Sequence, residues 1–180
     1  LLALLNVEHH TTWIVVLMSA GLITDIFDGI IARKLQVSSE KLRVLDSDVD
    51  QFFWLSIMAS VFYLNKSFFI AQLGWLVAIL SLEILSYLIS YIKFKRSIAT
   101  HSLMAKLWSL SLLWFLIDLT LTSASHWPFI ICIGLGISSR IEINLILAGL
   151  KNWTTDVPTV FSVSKINPAL PIKRIKLFNG

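Results

Sequence analysis

Apolar stretches separated by short polar breaks dominate the chain. Most have the roughly 20 residues that a helix needs to cross a bilayer. The pattern predicts five nearly complete spans, over residues 12–34, 42–64, 68–92, 103–124 and 127–150. Leu1 to Leu5 are also apolar and stop at Asn6-Val7-Glu8-His9-His10. They read as the end of a further span whose beginning is missing, in keeping with a first residue that is not Met. The expected architecture is therefore all-α: a polytopic membrane helix bundle of six spans with the first mostly missing. Residues 1–150 form the membrane domain, and 151–180, with Pro158, Pro168 and Pro171 and little periodicity, form a partly disordered cytoplasmic tail whose basic end hugs the membrane.

Composition agrees. Hydrophobic residues make up 56% of the 180 and charged residues only 14%, against about a quarter charged in an average soluble domain. That argues against a soluble globular domain, a disordered chain and a nucleic-acid-binding module. The one cysteine, Cys132, excludes an intrachain disulfide. The net charge of +4 matters less than its distribution. Of the 15 Lys and Arg, 13 fall around the connections after the first and third complete spans and beyond the fifth. Lys66 is alone on the opposite side and Arg140 lies within a span. The positive-inside rule makes the basic side cytoplasmic.

Carboxylates inside apolar helices are costly and call for a reason. The first complete span carries Asp25 and Asp28, three residues apart and on one face; the second carries Asp46 and Asp50, four apart and also on one face. Asp48 points away from that pair. The two spans are antiparallel neighbours, so the four acids converge near the cytoplasmic end. Such a group repels itself unless cations lie between its members. Hard divalent ions with oxygen ligands, two Mg²⁺ or Mn²⁺, answer this and leave open positions that a diphosphate fills. Gly29 and Ala32 share the side of Asp25 and Asp28, where small side chains let a ligand approach the backbone or, alternatively, let helices pack closely. Arg33 follows, placed either to contact a phosphate or to anchor the cytoplasmic end.

Asp25-x-x-Asp28-Gly29-x-x-Ala32-Arg33, followed by Asp46-x-x-x-Asp50, resembles the signature of the CDP-alcohol phosphotransferases (CDP-alcohol phosphatidyltransferases), D-x2-D-G-x2-A-R-x8-G-x3-D-x3-D. Seven of its eight fixed positions are met at the family spacing; Leu42 stands where the family usually has Gly, one turn before Asp46. The resemblance implies a membrane enzyme that moves a substituted phosphate from a CDP-linked lipid or alcohol to a small acceptor alcohol and releases CMP. It also implies that Asp25, Asp28, Asp46 and Asp50 hold the metals and that Asp50 takes the proton from the acceptor hydroxyl. Gly29, Ala32 and Arg33 would line the CDP site, and the enzyme would be a homodimer. Lys106 is similar in placement to a family lysine at the cytoplasmic start of the fifth helix, either a phosphate ligand in the acceptor pocket or a positive-inside anchor.

Glu83, Asp118, Arg140 and Glu142 also lie within predicted spans. Arg140 has two readings, an ion pair with an acid such as Glu83 or a contact to an anionic acceptor. His9, His10, His101 and His126 make no metal-ligand spacing. Two other function classes use intramembrane acids. An intramembrane prenyltransferase binds a lipid diphosphate through Mg²⁺, but with differently spaced acidic motifs and no reason for Gly29-x-x-Ala32-Arg33. A cation transporter would need acids continuing across the membrane, and Asp118 alone makes no path.

Overall fold

A computed structural model describes the backbone of residues 10–34, 40–98, 102–154 and 157–166. It also gives the side chains there, except at 10, 25–26, 29, 32–34, 40, 42–44 and 46–47. The described residues are helical, with no strand. Helices α1 (His10–Lys34), α2 (Glu40–Leu64), α3 (Lys66–Ala71), α4 (Leu73–Phe94), α5 (Leu103–Thr122) and α6 (Trp127–Gly149) are followed by a 3₁₀ turn (Val160–Ser162) and a short α7 (Val163–Ile166). The all-α reading holds, and four of the five predicted spans match α1, α2, α5 and α6 to within two residues at each end. The segment at Leu1–Leu5 lies outside the described residues.

Two differences from the sequence reading have physical causes. The span expected over 68–92 is broken at Gln72, where the backbone turns (φ −104°, ψ 16°) and its N–H is shared between the carbonyls of Phe68 and Phe69. The preceding α3 is held by an aromatic cluster. Phe68 packs edge-on to Phe129 at 5.3 Å between ring centroids and also meets Phe115, while Phe69, buried, meets Phe62 and Phe115. Asn65 ends α2 by donating from Nδ2 to the Val61 carbonyl. The second difference is in membrane character. Three helices are long and apolar enough to cross a membrane: α4, α5 and α6. At 25 residues each, α1 and α2 have the length, about 37 Å, but their acidic and basic residues interrupt the apolar composition, and the continuous apolar part of α1 is Thr11–Thr24.

The chain divides into two compact units. The first comprises 1–73 and 111–130. Its core is drawn from helical stripes: Ile14, Met18 and Leu22 on α1, Ile57 and Val61 on α2, and Leu112, Phe115, Leu116 and Leu119 on α5. Each set repeats at three or four residues, the spacing that keeps one helix face inward.

The second unit comprises 74–110 and 131–180. Its helix register can be read from contacts that advance together. A Cβ on Gly136 would meet Ile79 and Trp108, Glu83 pairs with Arg140, and Lys93 Nζ donates to the carbonyls of Leu147 and Ala148 at 3.0 and 2.6 Å. The α4 and α6 segments are therefore parallel. Lipid supplies no hydrophobic drive between helices, so close approach and polar contacts must hold them. Gly136 and the buried Ser86, Ser90 and Ser139 provide the first, and Asn144 Nδ2 donating to the Leu82 carbonyl at 3.2 Å provides the second. Lys93 places its charge at the negative end of the α6 dipole.

Residues 157–166, read from sequence as part of an irregular tail, pack onto the end of α6. Val157 and Val163 are buried with Ile146 and Leu150, flanked by Phe94, Val160 and Ile166. The Leu103 N–H donates to the Pro158 carbonyl at 3.0 Å, and Trp153 Nε1 to the Ser97 carbonyl at 3.0 Å.

The Glu83–Arg140 pair yields a stability prediction. The side chains are 13% and 11% exposed. Arg140→Ala would strand a buried carboxylate, at a cost of about 3–5 kcal/mol. The expected result is a clear drop in the apparent thermal midpoint of detergent-solubilised protein, followed by intrinsic fluorescence. The Glu83→Leu/Arg140→Met variant, with no charge left to strand, should recover most of it.

Candidate active site

The acidic motif lies on α1 and α2, and one contact sets their register. Gly21 of α1 faces the ring of Phe53 of α2 so closely that a Cβ there would come within 2.0 Å of Cζ. Only five residues, 35–39, separate the two helices, about 21 Å at full extension. That is far less than the length of either helix, so the chain must double back. Gly21 is 13 residues before the end of α1, and Phe53 is 13 after the start of α2. The pair is an antiparallel hairpin in which positions summing to 74 are level. Asp28 is then level with Asp46, Asp25 with Val49 beside Asp50, and Ala32 with Leu42.

The four aspartates thus occupy two adjacent levels of one helix pair, a turn apart. Asp25 and Asp28 follow Gly21 by four and seven residues, the spacing of neighbouring positions along a helix. Asp50 precedes Phe53 by three. Among them, Asp28 is exposed and Asp50 half-buried; the side chains of Asp25 and Asp46 lie outside the described residues. So do those of Ala32 and Arg33, while Gly29 is placed by its backbone only. Asp48 is exposed, one residue off the level of the pairs. Among the described side chains, no three of His, Cys, Asp and Glu gather as a metal site. Thr24 bends back to its own helix, its hydroxyl donating to the Ala20 and Gly21 carbonyls.

The two basic residues considered for the acceptor belong to the second unit. Lys106 lies half-buried in the first turns of α5, its N–H on the Ser102 carbonyl at 3.2 Å. Arg140 Nε lies 2.5 Å from Glu83 Oε2, and its guanidinium stacks 4.6 Å from the centre of the Trp108 ring. The Nε–H has no acceptor in line, so the contact is an ion pair and not a directed hydrogen bond. Of the two sequence readings of Arg140, the ion pair with Glu83 is present. Sequence reasoning did not single out Trp108, Gly21 or Phe53. A signal existed for Gly21, which extends the small-and-acidic face of α1 by one turn; none existed for its aromatic partner 32 positions away.

The geometry of α1 and α2 bears on an independent comparison. The family model described as CDP-alcohol phosphatidyltransferase matches residues 1–141, more than three-quarters of the chain. The chain belongs to the CDP-alcohol phosphatidyltransferase family. No match was found among curated proteins or solved structures. Members of the family are transferases of substituted phosphate groups, and the chain is accordingly a phosphotransferase of phospholipid synthesis. The family is generally dependent on divalent metal, and its substrates are a CDP-alcohol and an alcohol acceptor. Membership sets the prenyltransferase and transporter readings aside. The match covers the whole acidic motif of this phosphatidyltransferase and ends inside α6, leaving the packed segment 157–166 beyond it.

If Gly21 sets the level of the acids, filling its space should move them. Gly21→Ala gains helix propensity but overpacks the Phe53 ring, at about 1–3 kcal/mol. We expect a lower thermal midpoint and a larger fractional loss of transferase activity. Gly21→Ala/Phe53→Leu, which removes the three clashing ring carbons, should restore both.

Proposed function

We propose that this chain transfers a substituted phosphate from a CDP-alcohol, such as CDP-diacylglycerol, to the hydroxyl of a small acceptor alcohol and releases CMP. One observation supports the reading: the antiparallel register of α1 and α2 levels Asp28 with Asp46 and Asp25 with Val49, next to Asp50. An all-carboxylate donor set on two levels suits two hard divalent ions, Mg²⁺ or Mn²⁺, held by Asp25, Asp28, Asp46 and Asp50. Bound there, the ions would neutralise the diphosphate and the departing CMP, the larger part of phosphoryl-transfer catalysis.

The remaining roles fall to the chain itself. Asp50 accepts the proton of the acceptor hydroxyl. The freed oxygen forms a bond to the phosphorus distal to cytidine, and the bond from that phosphorus to the bridging oxygen breaks, so the bridging oxygen leaves with CMP. Gly29 and Ala32 keep the α1 backbone open to the nucleotide, and Arg33 offers a charge to its phosphates. Leu42 stands where the family usually has Gly, at the backbone level of Ala32. By its family-like placement Lys106 is offered to an acceptor phosphate, while Arg140 is held in its ion pair with Glu83.

In this reading α1 and α2 also enter the membrane, with the site opening on the cytoplasmic face where the basic residues gather. Residues 1–150 are the catalytic membrane domain, 151–180 a C-terminal extension, and the enzyme works as a homodimer.

The test is CMP release by purified protein given a CDP-alcohol, a panel of acceptor alcohols and Mg²⁺ or Mn²⁺. Asp50→Asn should lose at least a hundredfold in kcat, the scale of a general base, while CDP-alcohol binding persists. Full turnover by Asp50→Asn would sink its role as base. If single Asn variants of Asp25, Asp28 and Asp46 all kept wild-type metal dependence, the metal assignment would be wrong.

A further inference from the structure

The helix that carries Lys106 does not complete its own start. The first N–H groups of a helix find no partner within it and must be satisfied from outside. At α5 the N-cap is Ser102, which is fully buried. Its Oγ accepts the Ala105 N–H at 3.2 Å, and its carbonyl accepts the Lys106 N–H at 3.2 Å. The Leu103 N–H, at the first helical position, takes a partner far along the chain. It donates at 3.0 Å to the carbonyl of Pro158.

That carbonyl sits in a segment with its own anchors. Val157 and Val163, both buried, pack with Ile146 and Leu150. Val163 Cγ1 lies so near Gly149 that a Cβ there would come within 3.1 Å of it. Two residues after Pro158, the Val160 N–H donates to Glu142 Oε1 of α6 at 3.4 Å. A further tie holds the end of α4: Trp153 Nε1 donates to the Ser97 carbonyl at 3.0 Å, and Ser90 Oγ donates to the Arg96 carbonyl at 2.8 Å. The residues after α6 thus bridge from α6 to both sides of the connection between α4 and α5. On α5 itself, Trp108 gives a second anchor, against Gly136 and the Arg140 guanidinium. Lys106 lies between the two anchors, one turn after Leu103 and two residues before Trp108.

We propose that Val157–Ile166 is a strap that positions the first turns of α5, and with them Lys106, for the acceptor. The proposal rests on the reading of Lys106 as a contact to an acceptor phosphate. With its N–H bonded to Pro158, the first turn of α5 is held in place; released, that N–H turns to water and the helix end frays. A displacement of about 1 Å is enough to weaken a contact that works by orientation. The strap lies beyond the residues matched by the family, which end at 141, so this chain aims a family-like lysine with a segment of its own.

Leu103→Pro deletes the N–H without opposing the helix, because proline fits the first helical position. Leu103→Ala controls for the lost side chain. Full-length chains in nanodiscs are followed by hydrogen exchange and by CMP release with CDP-diacylglycerol, Mn²⁺ and, in turn, glycerol phosphate, inositol phosphate and serine. Relative to Leu103→Ala, Leu103→Pro should speed exchange of the amides of 105–108 and 157–166 about fivefold, the scale of one lost hydrogen bond. Amides of 130–140 in α6 should not change. The KM of the acceptor that supports release should rise about fivefold, with kcat and the KM for CDP-diacylglycerol held. Val163→Ala, on the α6 side of the segment, should move both readouts in the same direction. Unchanged exchange at 105–108 overturns the strap. So does a loss shared equally by both substrates or confined to kcat, which assigns the segment to general stability. An unaltered acceptor KM in Lys106→Gln overturns the aiming of Lys106, and the exchange result then shows whether the lysine or the strap has failed. Wild-type chain that releases no CMP with any acceptor sinks the transferase reading, while exchange at 105–108 still supports or overturns the strap.

Discussion

A charge inside an apolar helix has to be given a partner, and much of this architecture follows from where the partners are. Arg140 and Glu83 could each stay ionised away from water only by meeting. Their meeting fixes the register of α4 against α6, with Gly136 against Ile79 below and Lys93 on the last carbonyls of α6 above. Trp108 covers the guanidinium from α5, so one ion pair gathers segments of three helices. Such a pair adds little net stability once desolvation is counted, but it excludes other registers, because any slip leaves two buried charges bare.

The same constraint acts differently on α1 and α2. There the backbone register set by Gly21 and Phe53 brings the acidic positions of the two helices to neighbouring levels. The proposed reading of those positions is a seat for cations and for a diphosphate behind them. Membership of a phosphotransferase family gives that arrangement its purpose. In the second unit the ion pair of Glu83 and Arg140 is satisfied within the protein.

The C-terminal segment packs within the second unit. Its apolar side chains are spent on the end of α6. A segment outside the family match that is nonetheless anchored by backbone hydrogen bonds and a valine plug is a built feature of this chain.

What could be read from the residues alone was whatever depends on local spacing. Apolar runs of span length determined the helices and most of their ends, because a chain in lipid must satisfy its backbone within each segment. The fixed spacing of Asp25, Asp28, Asp46 and Asp50, with Gly29, Ala32 and Arg33, carried the resemblance to the family, because a motif of that kind is written in local spacing. The break at Gln72 was not legible, since it answers to Phe115 and Phe129 more than forty positions away. The choice between Glu83 and an acceptor as the contact of Arg140 also needed the fold, as did the packing of Val157 and Val163 where proline-containing sequence suggested irregular tail. These depend on which side chains meet across the chain, and contact between distant residues is a property of tertiary structure that no local pattern encodes.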